Sequence, residues 1–301
     1  MLEYPVRMGE IPPVRELLAQ RVGEELELND RYLNPQMGRI LRTLGFDRTW
    51  VGGDRAHLID SEGRRYLDLI SGYGVFALGR NHPDVIEGIQ DVLAAGTGNL
   101  PQLGVTLLAG VLAEQLLARA PGSVGAMVPA NTGTESVEAA IKIARAATGR
   151  GRIVYADHGF HGLTLGSLSI NGNDEFRAGF GPLLADCTPV PFGDADAVEA
   201  ELARGDVAAV ILEPVQGKGV HIAPDGYLAA VQRLCRDAGT LFVCDEVQTG
   251  IGRTGRFLAL EHWGVEPDLI CIAKALSGGF VPIGGVLVSR AAFDKVFDGM
   301  E

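Results

Sequence analysis

Three ionisable residues stand where apolar segments of the sequence end, and together they could do chemistry. Glu213 ends VAAVILE, Asp245 ends TLFVCD, and Lys274 follows DLICIA. A lysine amine is a nucleophile toward aldehydes, and a carboxylate can hold a nitrogen-containing ring protonated. A single charge at the end of a core strand often only marks the point where the chain meets water. The functional interpretation therefore depends on whether the three residues come together.

The elements that must position these residues follow from hydrophobic periodicity. Short apolar segments predict strands at 126–130, 152–156, 207–213, 240–245, 268–273 and 284–289, and helical spacing covers 134–147, 194–204 and 225–238. This alternation predicts an α/β fold with a mostly parallel sheet that carries helices on both faces. The loops that follow parallel strands lie at one edge of the sheet, where ligands of such sheets bind. We therefore expect Glu213, Asp245 and Lys274 to share one rim.

A glycine motif competes with this interpretation. DEVQTGIGRTG contains Gly250, Gly252 and Gly255 in the spacing G-x-G-x-x-G of dinucleotide-binding loops. Such a loop needs its first glycine at the strand end and a helix that begins at the motif. Here the residues DEVQT lie between the strand and Gly250. An NAD(P)-binding oxidoreductase is therefore kept only as an alternative.

A better candidate for an anion site is NTGTESVEAAIKIAR, which directly follows the predicted strand 126–130. Gly133 permits close approach of the backbone, Thr134 offers a hydroxyl, and the first helical turn has free N–H groups. Ordinary helix capping accounts for the same residue types equally well. The position on the predicted rim favours phosphate binding.

The segment DHGFHG, residues 157–162, contains two histidines and one aromatic residue. The spacing of His158 and His161 could suit a metal, but no third ligand is apparent, so we predict no metal site. Phe160 is expected either to pack in the core or to cover the face of an aromatic cofactor.

Bulk composition narrows the class of protein. The formal net charge of −12 makes nucleic acid an unexpected partner, and no basic tract is present. From the N-terminal residues we predict no signal peptide, and no apolar run approaches the roughly 18 residues of a membrane span. Its four cysteines lack C-x-x-C spacing, which is typical of reduced thiols in a cytoplasmic protein.

Pyridoxal 5′-phosphate needs the four parts found above. Lys274 would react with its aldehyde, Asp245 would keep its ring nitrogen protonated, the 133–134 segment would bind its phosphate, and an aromatic would pack on its ring. A lysine that is partly desolvated beside a cationic ring has a lowered pKa, which makes it a usable base. We therefore predict pyridoxal phosphate as the cofactor.

The sequence also resembles the class III aminotransferases, fold-type I pyridoxal-phosphate enzymes that act on ornithine, acetylornithine, 4-aminobutyrate or putrescine. The resemblance runs from about Trp50 to the end of the chain and rests on NTGTESVEAAIKIAR, HGFHGLTLGSLS, VILEPVQGKG, DEVQTGIGRTG and AKALSGG. The putrescine-type branch looks nearest, through YLNP and GYGVFALGRNHP. The resemblance implies a homodimer. It also implies a cofactor-binding large domain at residues 83–301, after an N-terminal arm and β-hairpin segment at residues 1–82.

The resemblance assigns roles to individual residues. Lys274 would hold the cofactor as a Schiff base and move the proton, and Asp245 would pair with the pyridinium nitrogen. The other implied positions are Gln248 at the phenolic oxygen, Val247 and Phe160 on the two faces of the ring, Gly133 and Thr134 at the phosphate, Glu213 lining the site, and Tyr73 at the substrate mouth.

The implied reaction moves an amino group from an amine to a 2-oxo acid, for which we expect 2-oxoglutarate. Leu163 stands where many relatives have an arginine or lysine that binds a substrate carboxylate, so we expect a diamine or ω-amine donor such as putrescine, or an ornithine-like one. Lys218 in QGKG stands where relatives usually have glutamate. The chain stops at Glu301, before the small C-terminal domain of the family, so an inactive truncated aminotransferase is the second alternative.

Overall fold

A computed structural model describes residues 12–98 and 104–298 of the 301-residue chain. Contacts along the chain divide it into two compact units, Met1–Leu69 and Ile70–Glu301. The domain boundary predicted after residue 82 stays a prediction, because a compact unit of contacts need not coincide with a folding domain.

Helices and strands alternate through the second unit, as the periodicity predicts. The helices are α1 (Val14–Arg21), α2 (Glu25–Tyr32), α3 (Pro35–Leu44), α4 (Ser71–Gly74), α5 (Pro83–Ala95), α6 (Leu107–Leu117), α7 (Gly133–Thr148), α8 (Leu165–Ser169), α9 (Asp174–Arg177), α10 (Ala195–Leu202), α11 (Tyr227–Ala238) and α12 (Arg290–Phe297). The strands are β1 (Trp50–Asp54), β2 (His57–Asp60), β3 (Arg65–Leu67), β4 (Ala126–Ala130), β5 (Arg152–Ala156), β6 (Cys187–Val190), β7 (Val207–Leu212), β8 (Leu241–Asp245), β9 (Leu269–Ile272) and β10 (Gly284–Val288).

The first unit contains α1 to α3 and a small antiparallel sheet in the order β1-β2-β3. The predicted hairpin is β2 and β3, and its turn is organised by the buried carboxylate of Asp60. That carboxylate accepts hydrogen bonds from the Glu62 and Arg64 N–H groups, the Arg64 side chain and the Tyr66 hydroxyl. Burial works against ionisation, yet these hydrogen bonds lower the pKa of Asp60 to about 2.

The second unit is built on a seven-stranded sheet in the order β4-β10-β9-β8-β7-β5-β6. Neighbours pair in parallel from β9 to β6, whereas β10 pairs antiparallel with both β9 and β4. The predicted mostly parallel sheet is therefore confirmed. The edge strand β6 was not predicted from the sequence, and its Pro189 explains why, because proline is tolerated only where a strand lacks a partner on one side.

Two apolar cores cover the two faces of this sheet, and successive residues of each strand contribute to opposite cores. On β8, Phe242 and Cys244 join the core formed with α6, α10 and α11. Val243 joins the core formed with α7 and α12. Because side chains alternate in this way, a residue at the end of a strand that shares the face of Val243 lies on the side of the sheet that α7 covers.

Candidate active site

The three predicted ionisable residues lie on neighbouring strands. β7, β8 and β9 pair in register, so that Ile211 lies beside Val243 and Asp245 beside Cys271. Glu213 directly follows β7, Asp245 ends β8, and Lys274 begins a short 3₁₀ turn just after β9. The predicted shared rim is confirmed.

Alternation along β8 separates the acidic pair Asp245 and Glu246. Asp245 faces the same side as Val243, whereas Glu246 accepts hydrogen bonds from the Ala259 N–H at 3.0 Å and the Leu260 N–H at 2.7 Å. Both carboxylates are buried. Glu246 therefore anchors the polypeptide that leaves the site, and only Asp245 faces the candidate site.

The partner of Asp245 is His161, which was considered from sequence only as a metal ligand. His161 Nδ1 lies 2.7 Å from Asp245 Oδ2, and both side chains are almost completely buried. Burial lowers the pKa of His161, but the hydrogen bond and charge of Asp245, together with the charge of Glu213, outweigh it and raise that pKa above its ordinary value. In the sequence, His161 is marked only by its position next to Phe160, the residue expected to cover the cofactor, and nothing there indicates a contact with Asp245.

Glu213 is a buried carboxylate held by two backbone donors. Its oxygens accept from the Phe160 N–H at 2.9 Å and the Gly217 N–H at 2.8 Å. Burial raises the pKa of Glu213 to about 7; the charge of His161 works against this rise, and the charge of Asp245 adds to it. Glu213 thus titrates near neutrality, and its backbone contacts fix the loop that carries Phe160.

Lys274 presents its amine to the same rim. Its Nζ donates a hydrogen bond to Gln248 Oε1, and its backbone has the left-handed φ of 44°, which is uncommon for a residue with a side chain. Burial lowers the pKa of Lys274, and the opposing charges of Asp245 and Glu213 do not cancel that effect. The amine is therefore more readily deprotonated than that of a solvent-exposed lysine.

The N-terminus of α7 lies against the loop after β8. A Cβ atom on Gly133 would lie 2.7 Å from Val247 Cγ1, so the backbone approaches this side chain as closely as glycine allows. Thr132 caps the helix by accepting from the Glu135 N–H. The Thr134 hydroxyl lies 2.8 Å from the Thr164 hydroxyl and 2.6 Å from the Ser167 hydroxyl, a polar cluster that the sequence did not reveal.

The remaining predicted residues lie around this centre. The ring of Phe160 packs edge-on against Phe176, with 5.3 Å between the ring centroids. Tyr73 is 80% exposed and has a left-handed backbone in α4. The next residue, Gly74, passes so close to Gln248 that a Cβ would lie 2.7 Å from Nε2. Tyr73 therefore lies on a segment that contacts the site.

The geometry does not support the dinucleotide-binding alternative. Gly250, Gly252 and Gly255 lie in successive turns, closed by hydrogen bonds such as Gly252 N–H to Phe257 O at 3.2 Å. No helix begins at this motif, and the next helical turn is the 3₁₀ segment Ala259–His262. The loop thus lacks the helix N-terminus that would bind a pyrophosphate.

Residues 12–98 and 104–298 show neither a metal-binding cluster nor a membrane-spanning helix. They contain no group of three or more histidine, cysteine, aspartate or glutamate residues placed to hold a metal ion. No helix among them combines the length and apolar character needed to cross a bilayer.

Comparison with known proteins gives consistent matches. Over 294 residues the chain is 41% identical to the aminotransferase PigE of Serratia sp. (strain ATCC 39006). This match covers 94% of this chain and 34% of PigE. Over 258 residues it is 43% identical to the putrescine aminotransferase of Pectobacterium atrosepticum. This match covers 83% of this chain and 55% of that protein. The chain thus spans about a third and about half of the lengths of these two relatives.

Solved structures agree with the sequence matches. An ornithine aminotransferase from Toxoplasma gondii, described with partial occupancy of pyridoxal phosphate at its active site, superposes with a TM-score of 0.82 at 26% identity. The match covers 97% of this chain and 70% of that one. The model of the family Aminotransferase class-III matches residues 49–299. The chain therefore belongs to the class-III aminotransferases, whose cofactor is pyridoxal phosphate.

Proposed function

We propose that this chain carries the cofactor-binding site of an aminotransferase that moves an amino group from an amine to a 2-oxo acid. The observation that carries the proposal is the half-buried amine of Lys274, whose pKa is lowered by burial, on the rim that it shares with Asp245 and Gln248.

The residues present fit pyridoxal phosphate. Gly133 lets the N-terminus of α7 pack closely against Val247, and the N–H groups of that first turn suit a phosphate. The hydroxyl of Thr134, already within reach of Thr164 and Ser167, adds a polar group there. We assign Gly133 and Thr134 to the phosphate, and Val247 and Phe160 to the two faces of the ring.

When bound, the cofactor supplies an aldehyde for the amine and a protonated ring that withdraws electrons from the carbon carrying nitrogen. Asp245 would accept a hydrogen bond from the ring nitrogen and so hold the proton there. With the cofactor bound, Lys274 Nζ would be the base that removes the proton from the substrate carbon and would hold it as an ammonium, a role that its lowered pKa favours. Gln248 orients the Lys274 amine, and the loop fixed by Glu213 limits water access.

We infer that the donor is a diamine or ω-amine such as putrescine, or an ornithine-like amine, and that the acceptor is 2-oxoglutarate. Leu163, just before α8, and Leu165, the first residue of α8, are apolar and exposed, so neither position offers a cation to a donor carboxylate. The putrescine aminotransferase among the relatives supports the same assignment. Lys218, the cation of the QGKG segment, is paired with Glu175 and lies over the Phe176 ring, so its charge is already balanced within the protein.

We also infer a homodimer that works in the cytoplasm. Exposed apolar side chains of the second unit, such as Val105, Leu107 and Tyr73, favour burial against another copy. All four cysteines are free, and three of them are buried. Sedimentation velocity over a range of concentrations tests the assembly, and a monomer at every concentration would contradict it.

Borohydride reduction in the presence of pyridoxal phosphate tests the proposed cofactor site. We expect a single reduced adduct on Lys274, located by peptide mass spectrometry, and none in Lys274→Ala. An unlabelled chain would instead support the inactive alternative. For the donor, a panel with 2-oxoglutarate should favour putrescine; a strong preference for 4-aminobutyrate would contradict the inference from Leu163.

A further inference from the structure

The carboxylate of Asp245 has a partner on each oxygen, both supplied by the protein. Oδ1 accepts from the Val247 N–H at 3.0 Å, and Oδ2 lies 2.7 Å from His161 Nδ1. A buried carboxylate without such partners would be strongly disfavoured as an ion. Because Oδ2 is acceptor-only when Asp245 is ionised, His161 carries its proton on Nδ1 and donates it.

His161 is itself held rigidly in place. Its backbone N–H donates to Asn171 Oδ1 at 3.0 Å, and Asn171 Nδ2 donates to the Gly162 carbonyl at 2.6 Å. Asn171 is completely buried. The imidazole therefore keeps a fixed position relative to β8, although it lies in a loop.

The charges around His161 come from three elements of the sheet. Asp245 on β8 and Glu213 after β7 both act on the imidazole, and Lys274 after β9 faces the same two carboxylates. Without the imidazole, the cation that the described part of the chain still places near these two buried carboxylates is Lys274. Positive charge at His161 thus compensates the acidic side of the site.

We propose that His161 is a positioning residue, whose Nδ1–H fixes the orientation of the ionised Asp245 carboxylate so that its oxygen meets the ring nitrogen of the cofactor. The proposal rests on the proposed function and adds a residue that acts through Asp245 rather than on substrate. It predicts that the hydrogen-bond donor at Nδ1 matters more than the aromatic ring.

The test compares two substitutions at the same position. His161→Asn keeps an N–H donor close to the position of Nδ1, whereas His161→Leu has similar bulk and no donor. The matched control is His158→Asn in the same loop, where the side chain is more than half exposed and the left-handed φ of 59° suits asparagine. Each 301-residue variant is loaded with pyridoxal phosphate, and single-turnover reaction with putrescine is followed from pH 6 to 9, together with thermal stability.

We expect His161→Leu to lower the rate of this half-reaction about 10- to 100-fold, the range for loss of a hydrogen bond to a charged group. The apparent affinity for putrescine should stay within about threefold, because His161 does not touch substrate. His161→Asn should recover most of the rate, and His158→Asn should match the parent. A His161→Leu variant with the parental rate and pH profile would overturn the proposal. Equal losses in His161→Leu and His161→Asn, accompanied by equal losses of thermal stability, would assign His161 a purely structural role and overturn it as well.

A measurement without cofactor separates this proposal from the proposed function. In the ¹⁵N-histidine spectrum of the 301-residue chain, His161 should show a proton on Nδ1, and Asp245→Asn should lower the pKa of His161. If borohydride labels no lysine yet this signature is present, the proposed function fails while the pairing stands. If labelling succeeds but His161 carries its proton on Nε2 alone, the positioning role is refuted.

Discussion

Replacing Gly133 by alanine tests whether the close approach of α7 to Val247 is what shapes the cofactor site. The added Cβ would lie 2.7 Å from Val247 Cγ1 and 3.1 Å from Cγ2. Carbon atoms rest about 3.5 to 4.0 Å apart, so Val247 would have to retreat by about 1 Å. Overpacking of this kind costs about 1–3 kcal/mol. The backbone of Gly133 is not left-handed, so the clash is the main penalty.

A double-mutant cycle isolates this clash from other effects of the substitutions. Val247→Ala removes both methyl groups that the new Cβ would meet, so Gly133→Ala should cost less in that background, with a coupling of about 1–2 kcal/mol. Urea unfolding gives the free energies, and fluorescence titration gives the affinity for pyridoxal phosphate, which we expect to fall about tenfold in Gly133→Ala alone.

The control for this experiment is Gly110→Ala in α6, where, apart from its own helix backbone and chain neighbours, no atom of the described residues lies within 4 Å of the added Cβ. Alanine there should stabilise the chain by about 0.5–1 kcal/mol through backbone entropy. Free energies for Gly133→Ala and Val247→Ala that add within about 0.5 kcal/mol would refute the packing argument. An unchanged cofactor affinity in Gly133→Ala would refute its link to the cofactor.

Three further predictions concern ionisable groups of the site. The pKa of Glu213 is raised from 4.5 to about 7, so the unfolded chain loses this proton first as pH rises, and ionisation destabilises the fold between these values. The free energy of unfolding of Glu213→Gln, measured in urea, should therefore rise relative to that of the parent by about 3 kcal/mol between pH 4 and pH 8, at about 1.4 kcal/mol per pKa unit. A difference in free energy that does not change with pH would contradict this. Lys274, whose pKa is lowered by burial, should be reductively methylated by a small aldehyde at lower pH than the exposed Lys142, as read by mass spectrometry; labelling at the same pH would count against it. Asp245→Asn should abolish the proposed transamination and lower cofactor affinity, whereas Glu246→Gln should cost about 1–3 kcal/mol of stability through its two backbone donors and leave cofactor affinity unchanged; a loss of cofactor affinity in Glu246→Gln and none in Asp245→Asn, read by paired cofactor titrations, would show that the two roles are exchanged.

The positions of the helices and strands of the second unit follow largely from local patterns. The predicted strand 240–245 is β8, Leu241–Asp245, and the predicted helix 134–147 is α7, Gly133–Thr148. These predictions hold because apolar periodicity is a property of consecutive residues. β6 escaped prediction because an edge strand with Pro189 has little of that periodicity.

The sequence alone also determined which ionisable residues share a rim. Parallel strands point their carboxyl ends to one edge, so Glu213, Asp245 and Lys274 had to emerge together once their strands were recognised. Even the separation of Asp245 from Glu246 follows from the period of two along a strand.

The tertiary structure decided which side chains meet across that rim. His161 lies 84 residues before Asp245 and reaches it because β5, β7 and β8 are consecutive in the sheet, an order that the sequence does not state. The contact of Gly133 with Val247 and the hydroxyl cluster at Thr134 likewise depend on where α7 packs. Local periodicity places a residue on a strand or helix and on one of its faces. Hydrogen bonds between distant residues depend on strand order and on distances of a few tenths of an ångström, which only the packed chain fixes.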